Sequence, residues 1–492
     1  MFDRFVVLLL AFVFSFVGIQ ARSITIINKE QVHRLLKEEN QTYRIRHPID
    51  LEGDTVIIPQ GCTLQFKKGC FKNCIIIFNQ TTVSGRSSMF KDVKLQGTIT
   101  NNEVYSKWFA STLDNDNHLI DAIKLACNSS KKFVFSKGRY AFTEYISLYG
   151  NCSLIADGKV DVVANVEDSK IFILAGNTTI RGKKPITWTG KIQGLNFIAN
   201  KGVYDNFLGL YNVKDGEVSD CTFDMSAEGV NCANKIIGSV NNANYSNPSK
   251  GENIRILRNT IRVQSTLDDR NNCECIGIEK RNNVLIEGNH IFNTRDDLGI
   301  HNSTNVVIRN NVVEAYDGRI FVANSKDISI ENNIVRYVFP STTGMGIYVG
   351  VESGYDMTPE RIAIKGNVID YTRAKDTPCY GIRIIGANYI IVDKNKVYGH
   401  PSARIAIEHT QAKVSQITGL LNPGILVPEH IVVKDNECNG LWLAGYANLK
   451  INDIQFIGNT INGVISITNN DAIYQCNKHG KSADVKAIPH NN

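Results

Sequence analysis

A short apolar strand followed by Asn recurs through the second half of the chain, and this recurrence constrains the fold more than any other feature. It reads NIRILRNTI at Asn259, NVLIEGNHI at Asn289, NVVIRNNVV at Asn311 and DISIENNIV at Asn333. It returns as RIAIKGNVI at Asn367, YIIVDKNKV at Asn395, HIVVKDNEC at Asn436 and DIQFIGNTI at Asn459. Apolar and polar residues alternate within each copy, which is the period of a strand rather than a helix. The intervals between the Asn residues are 30, 22, 22, 34, 28, 41 and 23. Two neighbouring intervals of 22 define the bare repeat, and the longer ones add loops to it. A repeat of that length, built of short strands, predicts a stacked solenoid.

The Asn has a physical task in such a coil. Each bend between strands strands backbone N–H and C=O groups without ladder partners, and an inward amide satisfies them while bonding the amide of the next coil. Between the Asn positions lies a second strand, often carrying Gly-Ile: CIGIE (275–279), LGIHN (298–302), GRIFV (318–322), GMGIYV (344–349), YGIRII (380–385), RIAIE (404–408) and GLWL (440–443). Two strands per repeat with no helical pattern predict an all-β chain, a parallel β-helix whose crossovers make it right-handed.

Composition narrows the partners. A chain of 492 residues with 43% hydrophobic and 21% charged residues sustains a continuous core. Its formal charge of +6 is small, and no basic run interleaves with aromatics, so nucleic acid is not an expected partner. Residues Met1–Ala21 read as a secretory signal: Arg4, an apolar run from Phe5 to Ile19, then a small residue at the cut. Secretion, to the periplasm or the cell surface, is therefore expected, with no membrane span once the signal is removed. Twelve cysteines in an exported chain invite disulfides. Cys221, Cys275, Cys379 and Cys438 fall where a small core residue fits, however, so buried free thiols are the expectation, with Cys62, Cys70 and Cys74 close enough for one bridge.

In chain order, EQVHRLLKEEN (30–40) has helical spacing and is expected to cap the open end of the core. Strand-sized units follow to Trp108, then an amphipathic helix over Asn117–Cys127. The expected organisation is a leader (1–21), a helical cap with the first coils (22–110), a main β-helix (111–474) and a polar tail (475–492).

The order WFA…DAIKLAC…KKFVFSKGRY resembles the opening segment of pectin-lyase-like β-helix proteins, and the GI…NV.I..N repeats resemble the coil signature of that superfamily. The stretch LEGDTVIIPQGCTLQFKKGCFKN resembles the N-terminal extension of secreted β-helix proteins of gut bacteria. The resemblance implies the fold but no single reaction, because that fold hosts lyases, hydrolases, epimerases and non-catalytic adhesins.

Outward residues on stacked coils form columns, and a column of charges along a flat face suits a linear polymer. Alternation places Cys275, Asp297, Arg319 and Gly381 in one column, Gly277, Gly299, Phe321 and Arg383 in a second, and Glu279, His301 and Ala323 in a third. Glu274 and Asp296 stand just before the strands. Glu274, Glu279, Asp296, Asp297, His301 and Arg319 thus concentrate on three coils, where crowding of acids is expected to raise one carboxyl pKa and leave a proton donor beside an ionised base.

TRDDLGIHNSTNVVI (294–308) resembles the polygalacturonase segment with an Asp-Asp pair before a strand. That resemblance implies catalytic roles for Asp296 and Asp297, with Glu274 in the place of a third carboxylate, and a substrate role for Arg383 in GIRII. The Gly-His-Gly and the Lys of that family are not present. The leading expectation is a glycan-cleaving hydrolase using Asp296, Asp297, Glu274 and His301, with Arg319, Glu279, Arg383 and Tyr348 binding substrate. A lyase or epimerase acting on a uronate glycan would instead use Arg319 or His301 as base and Tyr348 as donor. A non-catalytic glycan-binding solenoid is the third reading. No cofactor is required and no metal ligand set is fixed, although Asp268, Asp269 and Glu274 offer oxygen ligands suited to Ca²⁺.

Overall fold

The computed structural model describes residues 23–109, 115–166, 171–177, 186–239, 251–263, 274–294, 298–315, 319–337, 344–352, 357–373, 379–410, 426–444, 453–467, 473–475, 477–479 and 485–487. The chain divides into two compact units, Met1–Leu113 and Asp114–Asn492. Every ladder between its strands is parallel. Among the described residues no helix is long and apolar enough to cross a membrane. The expected signal, Met1–Ala21, lies outside the described residues.

The first unit carries helix α1 (Lys29–Leu35), capped by the Asn28 side chain accepting from the Gln31 N–H at 3.0 Å. It ends several residues before the expected Asn40, which itself takes a left-handed turn at φ 56°. The long strand Cys70–Ser84 pairs with the strands Pro48–Asp50, Thr55–Ile57, Thr63–Phe66 and Phe90–Ile99. Its core is aromatic, with Phe66 meeting Phe71 and Phe90 edge-on at 5.4 and 5.3 Å.

The second unit is a right-handed parallel β-helix opened by helix α2 (His118–Asn128). Buried Leu119, Ile123 and Ala126 of α2 pack toward the strands Lys132–Phe142 and Ile146–Leu148. Its early coils stack phenylalanines, as Phe142–Phe172–Phe207 and the parallel pair Phe197–Phe223 at 5.1 Å. Later coils fill the same axis with Ile, Val and Leu.

Each coil holds three strands, not the two expected. The third follows the Asn at once: His290–Thr294, Val312–Ala315 and Ile334–Tyr337 ladder upon one another. These segments are only four or five residues long and abut the bend, so their alternation merges with the preceding strand in the sequence. The polar tail adds the short strands Lys478–His479 and Val485–Ala487.

The amides form one continuous ladder. Asn289 donates from Nδ2 to the Ile256 carbonyl and to Asn311 Oδ1, both at 2.9 Å, and its Oδ1 accepts from the N–H and amide of Asn259. The same pattern runs through Asn311, Asn333, Asn367, Asn395, Asn436 and Asn459 to Asn477. The residue before each rung adopts left-handed backbone. Gly suits this at 288, 366 and 458, Asn at 310 and 332, whereas Arg258 (φ 52°), Lys394 (φ 54°) and Asp435 (φ 54°) hold it against their side chains. The ten cysteines among the described residues are free thiols, and all but Cys70 are buried.

Candidate functional site

One sheet of the coil carries the chemistry. Its strands are β1 (Asn231–Gly238), β2 (Glu274–Glu279), β3 (Leu298–His301), β4 (Ile320–Ala323), β5 (Gly344–Gly350), β6 (Cys379–Ile385), β7 (Arg404–Glu408) and β8 (Glu437–Ala444). In register, Gly238, Gly277, Gly299, Phe321, Tyr348, Arg383, Ala406 and Trp442 stand in one column. Glu279, His301, Ala323 and Gly350 form the next. Both columns match the alternation read from the sequence. The column that was to include Cys275 does not form as expected: Cys275 and Ile276 are both fully buried, and Glu274 turns its carboxylate to the outer face instead.

His301 is the centre of this face. Its Nε2 meets Glu274 Oε1 at 2.7 Å and its Nδ1 meets Glu352 Oε2 at 2.8 Å, while the ring is only 6% exposed. Burial alone would push the imidazole down. Hydrogen bonds to the two carboxylates and their charges outweigh it and raise the pKa to about 9. His301 is therefore an imidazolium at neutral pH. Lys235, also nearly buried, lies 3.4 Å from Glu274 Oε2 and 3.7 Å from Glu279 Oε2.

At Glu274 these partners run against the expectation that crowded acids raise a carboxyl pKa. Burial does push Glu274 up, but the His301 hydrogen bond and the Lys235 charge prevail, so Glu274 sits below the usual carboxylate range. Two glycines make room for it. A Cβ on Gly299 would stand 2.5 Å from Glu274 Oε1, and one on Gly277 would stand 2.1 Å from Glu274 Oε2.

Beyond His301 the strip becomes aromatic and cationic. Phe321 lies 5.3 Å from the His301 ring and stacks on Tyr348 at 4.7 Å, with planes 7° apart. The Arg319 guanidinium covers the Phe321 ring at 4.6 Å, which sets it beside the His301 cluster. Burial raises the Tyr348 phenol, so it keeps its proton. Arg383 forms a forked pair with Glu408 at 2.9 and 2.8 Å. Farther on, Tyr380, Arg404 and Trp442 stack together.

Of the residues expected to carry chemistry, the structure gathers Glu274, Glu279, His301, Arg319, Tyr348 and Arg383 on this one sheet. Asp296 and Asp297 lie outside the described residues, as do Asp268 and Asp269. Glu274, named with the latter two for Ca²⁺, is engaged with His301 and Lys235, and among the described residues no group of three or more His, Cys, Asp or Glu is placed to hold a metal ion. Sequence reasoning missed Lys235, Glu352, Glu408 and Arg404. Lys235 was legible as a charge within the apolar run NKIIG; Glu352 lies just beyond the end of β5, outside the repeat, and carries no periodic signal.

No protein-family model matches the sequence. No curated protein matches it either. Among solved structures, the chain is similar to the Dettilon tailspike protein (TM-score 0.47, 16% identity, covering 76% of this chain and 68% of that one). It is similar to the A-module of an Azotobacter vinelandii mannuronan C-5 epimerase (TM-score 0.41, 13% identity, 75% and 94% covered). It is also similar to the catalytic domain of a GH87 alpha-1,3-glucanase (TM-score 0.43, 12% identity, 80% and 69% covered). What decides the architecture is the chain's own register, three parallel sheets wound around an unbroken Asn ladder. The fold is a right-handed parallel β-helix. The His301 cluster and the aromatic row lie on the same sheet of this coil.

Proposed function

We propose that this β-helix is an exported carbohydrate-active enzyme that hydrolyses a polysaccharide lying along β1–β8. The observation that carries the reading is His301, held as an imidazolium between Glu274 and Glu352. Glycosidic hydrolysis needs a proton for the leaving oxygen and a carboxylate to accept the proton of water. His301 stores the proton. Glu352, with 42% of its side chain exposed, reaches solvent and relays it. Glu274 stays ionised and holds the imidazolium in place as a positioning residue. Asp296 and Asp297 immediately precede β3 in the sequence, and one of them is the proposed base.

β-Elimination is less well supported, because it asks for a base, and His301, named for that role, holds its proton at neutral pH. The test is to incubate the purified protein with a panel of uronate and neutral polysaccharides, reading reducing ends and ultraviolet absorbance together. New reducing ends without unsaturated uronate are expected, with kcat falling by about 10²–10⁴ in Glu352→Gln and His301→Gln. Ultraviolet-absorbing unsaturated ends would replace hydrolysis by elimination. Glycan binding with no turnover, unchanged in Asp296→Asn and Asp297→Asn, would leave a binding protein.

A further inference from the structure

The far end of the same strip holds a cation without a counter-charge. Arg404 on β7 lies against two rings, its guanidinium 4.5 Å from the centre of Tyr380 on β6 and 4.2 Å from the centre of Trp442 on β8. The two rings are near-parallel at 24°, with centres 6.0 Å apart. Among the described residues no carboxylate pairs with Arg404, and its Nε is buried with no acceptor. The contrast with the neighbouring coil is direct. Arg383 also lies over Tyr380, at 4.7 Å, but Glu408 binds both edges of its fork.

A guanidinium resting against two aromatic rings has lost little of its donor capacity and part of its rotamer freedom, so an anion that binds it has less ordering left to impose. An unsatisfied buried donor also favours an acceptor of full charge. We infer that Arg404, fixed by Tyr380 and Trp442, is a subsite for the anionic substituent, carboxylate or sulfate, of an acidic polysaccharide. The inference rests on the reading of this strip as a glycan track and adds the substrate's charge to it. Four coil steps separate β7 from His301 on β3, on the order of 20 Å at the spacing of neighbouring strands. A linear polymer reaches from one to the other; a monosaccharide does not.

The experiment is a binding titration of the full-length protein, separate from turnover. Three probes are used: an oligogalacturonate, a sulfated galactan oligosaccharide and a neutral cello-oligosaccharide. At least one acidic probe is expected to bind more tightly than the neutral one and to weaken as salt is added. Arg404→Gln should weaken that probe about tenfold or more and leave the neutral probe unchanged, with Arg404→Lys between them because it keeps charge without the planar fork. Preference between carboxylate and sulfate identifies the substituent. Trp442→Phe, which keeps a ring beside the guanidinium, should retain most of the affinity and shows that any loss is not misfolding.

No binding of either acidic probe, equal binding of all three, or indifference to Arg404→Gln overturns the subsite. Because affinity is read in the Glu352→Gln background as well, Arg404-dependent binding with no turnover by the wild-type protein would sink the hydrolase reading and spare the subsite. Turnover with Arg404-independent binding would do the reverse.

Discussion

His301 shows how burial and pairing compete at one residue. Desolvation lowers an imidazole pKa and two carboxylates raise it; here the pair wins, and the value reaches about 9. A folded pKa above the unfolded value of about 6.5 gives stability that is complete below that pH and is lost as pH rises through the folded pKa. The wild-type denaturation midpoint should therefore fall between about pH 6.5 and 9, by a free energy on the order of 3 kcal/mol. His301→Gln should be flat across that window, and an equal slope in both proteins would contradict the assignment. Glu274 works in the opposite window, since its lowered pKa adds stability at neutral pH that disappears on acidification. A second prediction concerns the space that holds this pair. In Gly299→Ala the new methyl falls on Glu274 Oε1. The carboxylate must leave Nε2, so the His301 titration measured by NMR should move toward that of an ordinary histidine while the coil stays folded.

At the scale of the element, the rung is the unit that repeats. Each Asn closes a bend by bonding the coil below and the coil above, so its removal exposes the loss on both sides. Asn311→Ala takes the acceptor from the N–H of Asn289 and the amide donor from the Ile286 carbonyl, both within the core. At roughly 1–3 kcal/mol per buried group left unmatched, this variant should be among the most destabilised single substitutions in the protein. Asn459→Ala, nearer the end of the ladder, should cost less; chemical denaturation of the two side by side gives the comparison. This repetition is also why so much of the fold was readable. Eight copies state the same constraint, and the interval of 22 between Asn289, Asn311 and Asn333 carries Glu279 onto His301 and Gly299 onto Phe321 without error. What the repeat does not encode was missed. Glu352 lies beyond the end of β5, and the pairing of Arg404 with Tyr380 depends on insertions of irregular length. Cys275 failed because local alternation breaks where Glu274 turns outward.

Across the whole β-helix, energy is exchanged mainly between coils one or two steps apart, the reach of a long side chain such as Glu352 toward His301. The strip is then a row of sites with local coupling rather than one cooperative centre. Glu274 and Glu352 lie 78 residues apart in sequence yet share one imidazole. Removing either leaves His301 buried with half of its compensation, so their effects cannot be independent. Arg404 stands four coils from His301, beyond the reach of a shared partner and farther than a Debye length of about 8 Å at physiological salt. Double-mutant cycles on folding stability should separate these cases. Glu274→Gln combined with Glu352→Gln should deviate from additivity by about 0.5–3 kcal/mol, whereas Glu352→Gln combined with Arg404→Gln should add within about 0.5 kcal/mol. Additivity in the first pair would mean that His301 does not join the carboxylates. A large deviation in the second would mean that the coils communicate along the axis, and that the acidic head and the cationic foot of the strip act on a polysaccharide as one site.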